Sequence, residues 1–165
     1  MILSPTNGKI VAVTSSNAGE GKSTVSINLA LTTALTSAKV LLIDADLRRP
    51  TVHKKLGLDN STGLSRFIVG FETMTESLKR NVMENLDVMT SGPIPPNPSE
   101  LLGCDNMRIF LQKASDYYDY IIIDTPPINI VTDVAVMSDS ISGVVLVTSY
   151  AKTTLDDVKK SSVAL

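Results

Sequence analysis

The stretch Ser15-Ser16-Asn17-Ala18-Gly19-Glu20-Gly21-Lys22-Ser23-Thr24 limits what this chain can fold into more than any other. Residues 9–14 (Lys-Ile-Val-Ala-Val-Thr) form a β-branched run of the kind that makes a buried parallel strand. From Lys22 onward the apolar positions Val25, Ile27, Leu29, Ala30, Leu31, Ala34 and Leu35 suit a largely buried helix. A glycine-containing loop between a strand end and a helix start aims consecutive backbone N–H groups at one spot, and the helix dipole adds to them. Asn17, Ala18, Gly19, Glu20, Gly21, Lys22, Ser23 and Thr24 therefore form a candidate phosphate cradle. Lys22 is placed to reach β- and γ-phosphates, and the Ser23 hydroxyl to ligate magnesium. Against the pattern G-x-x-x-x-G-K-S/T there is one departure: Ser16 stands where the first glycine belongs.

Two further stretches carry chemistry. Residues 38–46 (Ala-Lys-Val-Leu-Leu-Ile-Asp-Ala-Asp) run apolar into two carboxylates, Asp44 and Asp46. In an open α/β sheet ligands bind outside the carboxyl ends of the strands, so these acids are expected to face the same crevice as the loop. The plainer reading is two loop acids capping the next segment. Residues 120–127 (Tyr-Ile-Ile-Ile-Asp-Thr-Pro-Pro) repeat the pattern with Asp124, an acid at the place where P-loop proteins hold the magnesium shell. After Asp46, Arg48 and Arg49 have three roles open to them: anchoring the acidic loop, reaching a phosphate, or standing solvated.

Composition narrows the partners. At 165 residues the chain is about one domain long, and a net charge of −2 offers no field to hold nucleic acid non-specifically. One cysteine, Cys104, with no metal-ligand spacing around it, points to a reduced, cytoplasmic protein. No run approaches the ~18 apolar residues of a bilayer span, and residues 1–9 lack the regions of a signal peptide.

Between these stretches, short helices are expected over 51–56, around Leu64, Phe67 and Ile68, and from Pro98. Met74, Leu78 and Val82 continue at helical spacing, and residues 85–90 alternate as a strand. Residues 93–98 form a stiff Pro-rich loop, and Met107, Phe110, Leu111, Ala114 and Tyr118 mark a helix ending near Tyr117. Thr132-Asp133 can cap a short helix through Met137, residues 142–148 read as another buried strand, and 154–165 as a helix. Strands alternating with helices, with no hairpin signal, give an α/β fold: a mostly parallel sheet with helices on both faces, in three α/β/α layers. His53 has no assigned role, and Tyr117, Tyr118, Tyr120 and Tyr150 read as structural rather than as phosphate acceptors.

With the loop, residues 41–50 (Leu-Leu-Ile-Asp-Ala-Asp-Leu-Arg-Arg-Pro), the segment 92–102 and residues 121–127 in place, the chain resembles the cytoplasmic catalytic domain of the bacterial tyrosine kinases that regulate capsular and exopolysaccharide synthesis. Partitioning and division-site ATPases look similar but carry a lysine near the start of the loop, where this chain has Asn17. The resemblance implies ATP-dependent autophosphorylation on tyrosine in trans, within a ring of subunits, switched on by a membrane-embedded chain-length regulator. It places the protein at the inner face of the plasma membrane through that partner. Carried onto this chain, Lys22, Asp44 and Asp46 are catalytic, with Asp44 orienting or deprotonating the tyrosine hydroxyl, while Ser23, Asp46 and Asp124 hold Mg2+ beside ATP. It also implies a single kinase domain over 1–165, truncated at both ends: family members have a Glu-x-x-Arg-x-x-Arg helix before the first strand and a tyrosine-rich tail. A nucleotide-gated interaction module, or a partitioning-type ATPase without kinase activity, is the alternative.

Overall fold

The computed structural model describes residues 9–131 and 133–164. Thr132, read with Asp133 as a helix cap, lies outside them, as do most of the amino-terminal stretch read for a signal peptide and Leu165. The sheet has six strands: β1 (Lys9–Ser15), β2 (Val40–Asp44), β3 (Leu78–Met83), β4 (Leu86–Met89), β5 (Tyr120–Asp124) and β6 (Gly143–Val147), in the spatial order β3-β4-β2-β5-β1-β6. All neighbours are parallel except β3 and β4.

The apolar runs are continuous because both faces are covered, and alternate residues divide between two cores. Leu41, Ile43, Ile121 and Ile123 pack on the side of α3 (Leu64–Ile68), α5 (Pro98–Leu102) and α6 (Asp105–Ser115). Val40, Leu42 and Ile122 pack on the side of α1 (Lys22–Ala34) and α2 (Val52–Leu56). In register, Val40 stands beside Tyr120 and Asp44 beside Asp124, so two strands deliver their terminal acids at one level, next to the end of β1. Among the described residues no helix is long and apolar enough to cross a membrane.

Three expectations are corrected. The helical spacing of Met74, Leu78 and Val82 covers only a four-residue helix, α4 (Met74–Ser77), closed by a reciprocal Thr73–Glu76 capping box. Beyond it the chain is strand β3, hairpinned onto β4. A spacing of four suits a strand as well as a helix, but an irregularity between Lys79 and Met83, with Asn81 at φ 52, sets Leu78 and Val82 against opposite cores; the turn uses Asn85 at φ 63 rather than glycine. Strand β6 is not buried: it lies at the sheet's edge, with Val144 38 % exposed. In α1 the buried stripe is Ser23, Ser26, Ile27, Ala30 and Ala34, while Val25 and Leu35 face solvent.

The loop before α3 is pinned to the end of β4: Asn60 takes the Gly92 N–H at 2.9 Å, and the Leu64 N–H donates to the Thr90 carbonyl at 2.8 Å. Gly63 makes this approach possible, since a Cβ there would stand 2.3 Å from the Thr90 carbonyl oxygen and 2.5 Å from the Gly92 nitrogen. Gly63→Ala is therefore expected to cost ~3 kcal/mol or more in urea unfolding, because only backbone can yield. Gly70→Ala, at φ 82 in open space, should cost about 1 kcal/mol. Equal losses at the two positions would refute the steric account.

Candidate phosphate and metal site

The loop between β1 and α1 carries two left-handed glycines, Gly19 at φ 79 and Gly21 at φ 94. The first intrahelical hydrogen bond of α1 is Val25 N–H to the Gly21 carbonyl at 3.0 Å, and no side chain caps this helix end. The N–H groups of Lys22, Ser23 and Thr24 are thus available to an anion, and no acid stands in the first turn to compete. These residues, with Ala18, Gly19 and Gly21, line a cleft of about 400 Å³ whose other walls include Asp46, Arg49 and Lys55. Of the phosphate-loop residues expected from sequence, Ala18, Gly19, Gly21, Lys22, Ser23 and Thr24 line the cleft; Asn17 does not, and Glu20 turns inward.

Glu20 is buried and braces the loop. Its carboxylate accepts the Asn17 N–H at 2.8 Å and the hydroxyl of Thr153, which lies just before α7 (Leu155–Ala164). The departure at Ser16 has a physical reason: its fully buried hydroxyl accepts from Ser161 of α7 at 2.8 Å. Glycine could not make that tie.

Lys22 lies across the cleft floor. Its ammonium is 2.8 Å from Asp46 Oδ2, 3.7 Å from Asp124 Oδ2 and 3.3 Å from Ser23 Oγ. Asp124 is fully buried; its Oδ1 accepts from Ser26 at 3.0 Å, and its Oδ2 has no hydrogen-bond partner. Burial above all pushes the Asp124 carboxyl up from its ordinary value, against the pull of Lys22. Asp44 is also fully buried behind the cleft, its Oδ1 held by the Asp46 N–H at 3.2 Å and its Oδ2 by the Val52 N–H at 3.1 Å. Burial first, then the charge of Asp124, pushes its carboxyl up to about 7.

One ammonium thus faces Asp46 and Asp124, with Asp44 buried behind them, a cluster whose ionised form a divalent cation would stabilise. The unpartnered Asp124 Oδ2, the Asp46 carboxylate and the Ser23 hydroxyl are hard oxygen donors, the set that suits magnesium. Among the described residues no cluster of three acidic, histidine or cysteine side chains cages a metal unaided.

Several contributors escape sequence reading. Ser26 sits one helical turn after Lys22, which is the only local signal for it, and its acceptor is 98 positions away. Arg48 anchors the acidic loop by pairing with fully buried Asp133 at 3.3 Å, and Ser99 donates to the same carboxylate. Asp133 is therefore an ion-pair partner; the neighbouring 3-10 helix, Ala135–Ser140, has no side-chain cap. Of the tyrosines, Tyr118 is structural, donating to Asp87 at 2.7 Å, but Tyr150 is fully exposed and Tyr117 72 % exposed.

The raised acid at Asp44 has a stability consequence. Its folded pKa of about 7 exceeds the ordinary 3.8, so its favourable contribution is complete below pH 4 and is lost as pH rises through 7. His53, whose pKa burial lowers, acts oppositely over part of this range, so the difference between wild type and Asp44→Asn isolates the acid. From pH 5 to 8 the wild-type unfolding free energy should fall relative to that of Asp44→Asn by about 2.5 kcal/mol in ligand-free protein. Parallel pH profiles would refute it.

Residues 8–161 match the family model described as AAA domain. The chain is 45 % identical over 157 residues to the tyrosine-protein kinase YwqD of Bacillus subtilis, covering 95 % of this chain and 66 % of that protein. It is 40 % identical over 157 residues to the tyrosine-protein kinase CpsD of Streptococcus pneumoniae, covering 93 % and 68 %. It superposes on the kinase domain of the Escherichia coli tyrosine kinase ETK with a TM-score of 0.91 at 38 % identity, covering 96 % of this chain and 62 % of that one. The chain spans about two thirds of the length of these two relatives. Matches that cover more than nine tenths of the chain, at 40 % identity and over 68 % of the pneumococcal kinase, make the chain a member of the bacterial tyrosine-protein kinase family, within the AAA-domain class.

Proposed function

We propose that this chain is the catalytic, nucleotide-binding domain of an ATP-dependent protein-tyrosine kinase acting on capsular and exopolysaccharide synthesis and export. The observation that carries the reading is the buried, unpartnered Asp124 Oδ2 beside Lys22 at the mouth of an uncapped helix. Family membership supports tyrosine as acceptor; the reading adds transfer in trans between subunits and a membrane-embedded chain-length regulator as activator that brings the domain to the inner face of the plasma membrane.

When bound, Mg-ATP supplies the γ-phosphoryl group and the positive charge that lets it be approached by a nucleophile. The N–H groups of residues 22–24 would bind phosphate oxygens, and Ser23, Asp46 and Asp124 would hold the metal. Lys22 exchanges Asp46 for the β- and γ-phosphates, so its charge is spent on the transfer site only when nucleotide is present. Asp44 orients the incoming tyrosine and takes its hydroxyl proton as the oxygen bonds to phosphorus and ADP leaves. Its raised pKa suits proton transfer near neutrality, and to reach a hydroxyl it must release the N–H of Asp46 or Val52. Positioning and charge account for the remaining catalysis.

The test is transfer of label from γ-labelled ATP to a peptide of clustered tyrosines with magnesium, alone and with the cytoplasmic tail of a membrane regulator. Phosphotyrosine is expected, falling at least a hundredfold in Lys22→Met. Asp44→Asn should keep ATP affinity and lose kcat; unchanged transfer would remove Asp44 from the chemistry. Mg-ATP binding with no label under either condition would replace the kinase reading by a nucleotide-gated interaction module.

A further inference from the structure

On the sheet face covered by α6 lies a cavity of about 570 Å³ that shares no lining residue with the phosphate cleft. Its volume is within the ~300–1,000 Å³ of small-molecule sites. Phe67 and Ile68 of α3, Met74, Leu78, and Ile109 and Phe110 of α6 form its apolar walls. The Phe67 and Phe110 rings meet edge to face, with centroids 5.0 Å apart, leaving a rigid aromatic surface.

The charged groups lining it are of one sign. Arg80 of β3 and Lys113 of α6 stand exposed at the rim, and neither side chain has an ion-pair or hydrogen-bond partner among the described residues. No carboxylate lines the cavity. The acid near Tyr118, Asp87, already accepts from the Tyr118 hydroxyl at 2.7 Å and from the Asn81 N–H at 2.7 Å. The Asn106 amide, also at the wall, donates to the Ile68 carbonyl at 2.9 Å. An extended peptide would find few groups here to satisfy its backbone, whereas an apolar body with one anionic head would leave nothing unpaired.

We propose that this cavity binds a small anionic amphiphile, a medium-chain or aromatic carboxylate, phosphate or sulfonate. Its apolar body lies against Phe67 and Phe110, and its head meets Arg80 and Lys113. The site is independent of the phosphate cleft, so the proposal stands or falls apart from the kinase reading.

The experiment is a fluorescence titration of the full chain with anilinonaphthalene sulfonate, an aromatic anion, followed by displacement with decanoate and with decanol. Saturable one-to-one binding is expected, with decanoate displacing the dye far better than decanol. The double variant Arg80→Ala/Lys113→Ala should weaken both anions by roughly tenfold or more while leaving decanol unchanged. Ile109→Trp, which fills the cavity from the 41 % exposed position Ile109, should remove binding. All substituted positions are exposed, so urea midpoints should match wild type and separate lost binding from lost fold. Dye binding that does not saturate, decanol competing as well as decanoate, or affinity unchanged in either variant would each overturn the proposal.

Discussion

The placement of the Lys22 ammonium against Asp46 and Asp124 is the interaction on which the rest of the structure depends. Burying three carboxylates at adjoining strand ends is costly, and one ammonium offsets only part of that cost. Two of the three acids respond by favouring their protonated forms, with Asp44 raised to about 7 and Asp124 raised by the same burial. The site is thus held together by a cation that is also well placed to meet an incoming phosphate. Binding Mg-ATP would relieve the imbalance twice, by adding positive charge at Asp124 and by giving Lys22 a stronger anionic partner.

Everything around this floor keeps it from relaxing. Asp44 is fastened by two backbone N–H groups, Asp46 by the Arg49 N–H at 3.0 Å, and Asp124 by Ser26. The acidic loop is held from outside by Arg48 on Asp133, and the phosphate loop by Glu20 on Thr153 and Ser16 on Ser161. The braces on the phosphate loop come from residues more than a hundred positions away, so α7 and the turn before it help to shape a cradle they never line. A loop braced this way holds its N–H groups in a fixed arrangement before any anion arrives.

The chemistry-bearing stretches were legible because they are local. Apolar runs covered on both faces can only be central strands, and an acid that ends such a run must emerge at the carboxyl edge. Asp44, Asp46 and Asp124 needed no tertiary knowledge to find. Ser26, Ser161 and Asp133 did, since a hydroxyl or carboxylate on a helix or turn carries no mark of a partner elsewhere in the chain. The same limit explains β3: even spacing fits both helix and strand, and only the parallel pairing of β4 with β2 leaves an open edge onto which residues 78–83 can fold back. Edge strands β3 and β6 are also where apolar pattern and burial part company, because half of each strand's surroundings is not supplied by neighbours in sequence.

The departure at Ser16 shows how such long-range ties surface in a motif. At the first position of a phosphate loop, glycine serves backbone freedom, yet the left-handed conformations here fall at Gly19 and Gly21, not at Ser16. With no conformational need for glycine, the position is free to carry a hydroxyl, and Ser161 uses it as an acceptor. Ser161 Oγ also lies 3.1 Å from Asn129 Oδ1 and 2.9 Å from the Asp157 carbonyl, alternative acceptors for its single proton, so α7, the loop after β5 and the phosphate loop meet at one buried hydroxyl. What reads in sequence as a weakened motif is, in the folded chain, the joint by which the last helix holds the first loop in place.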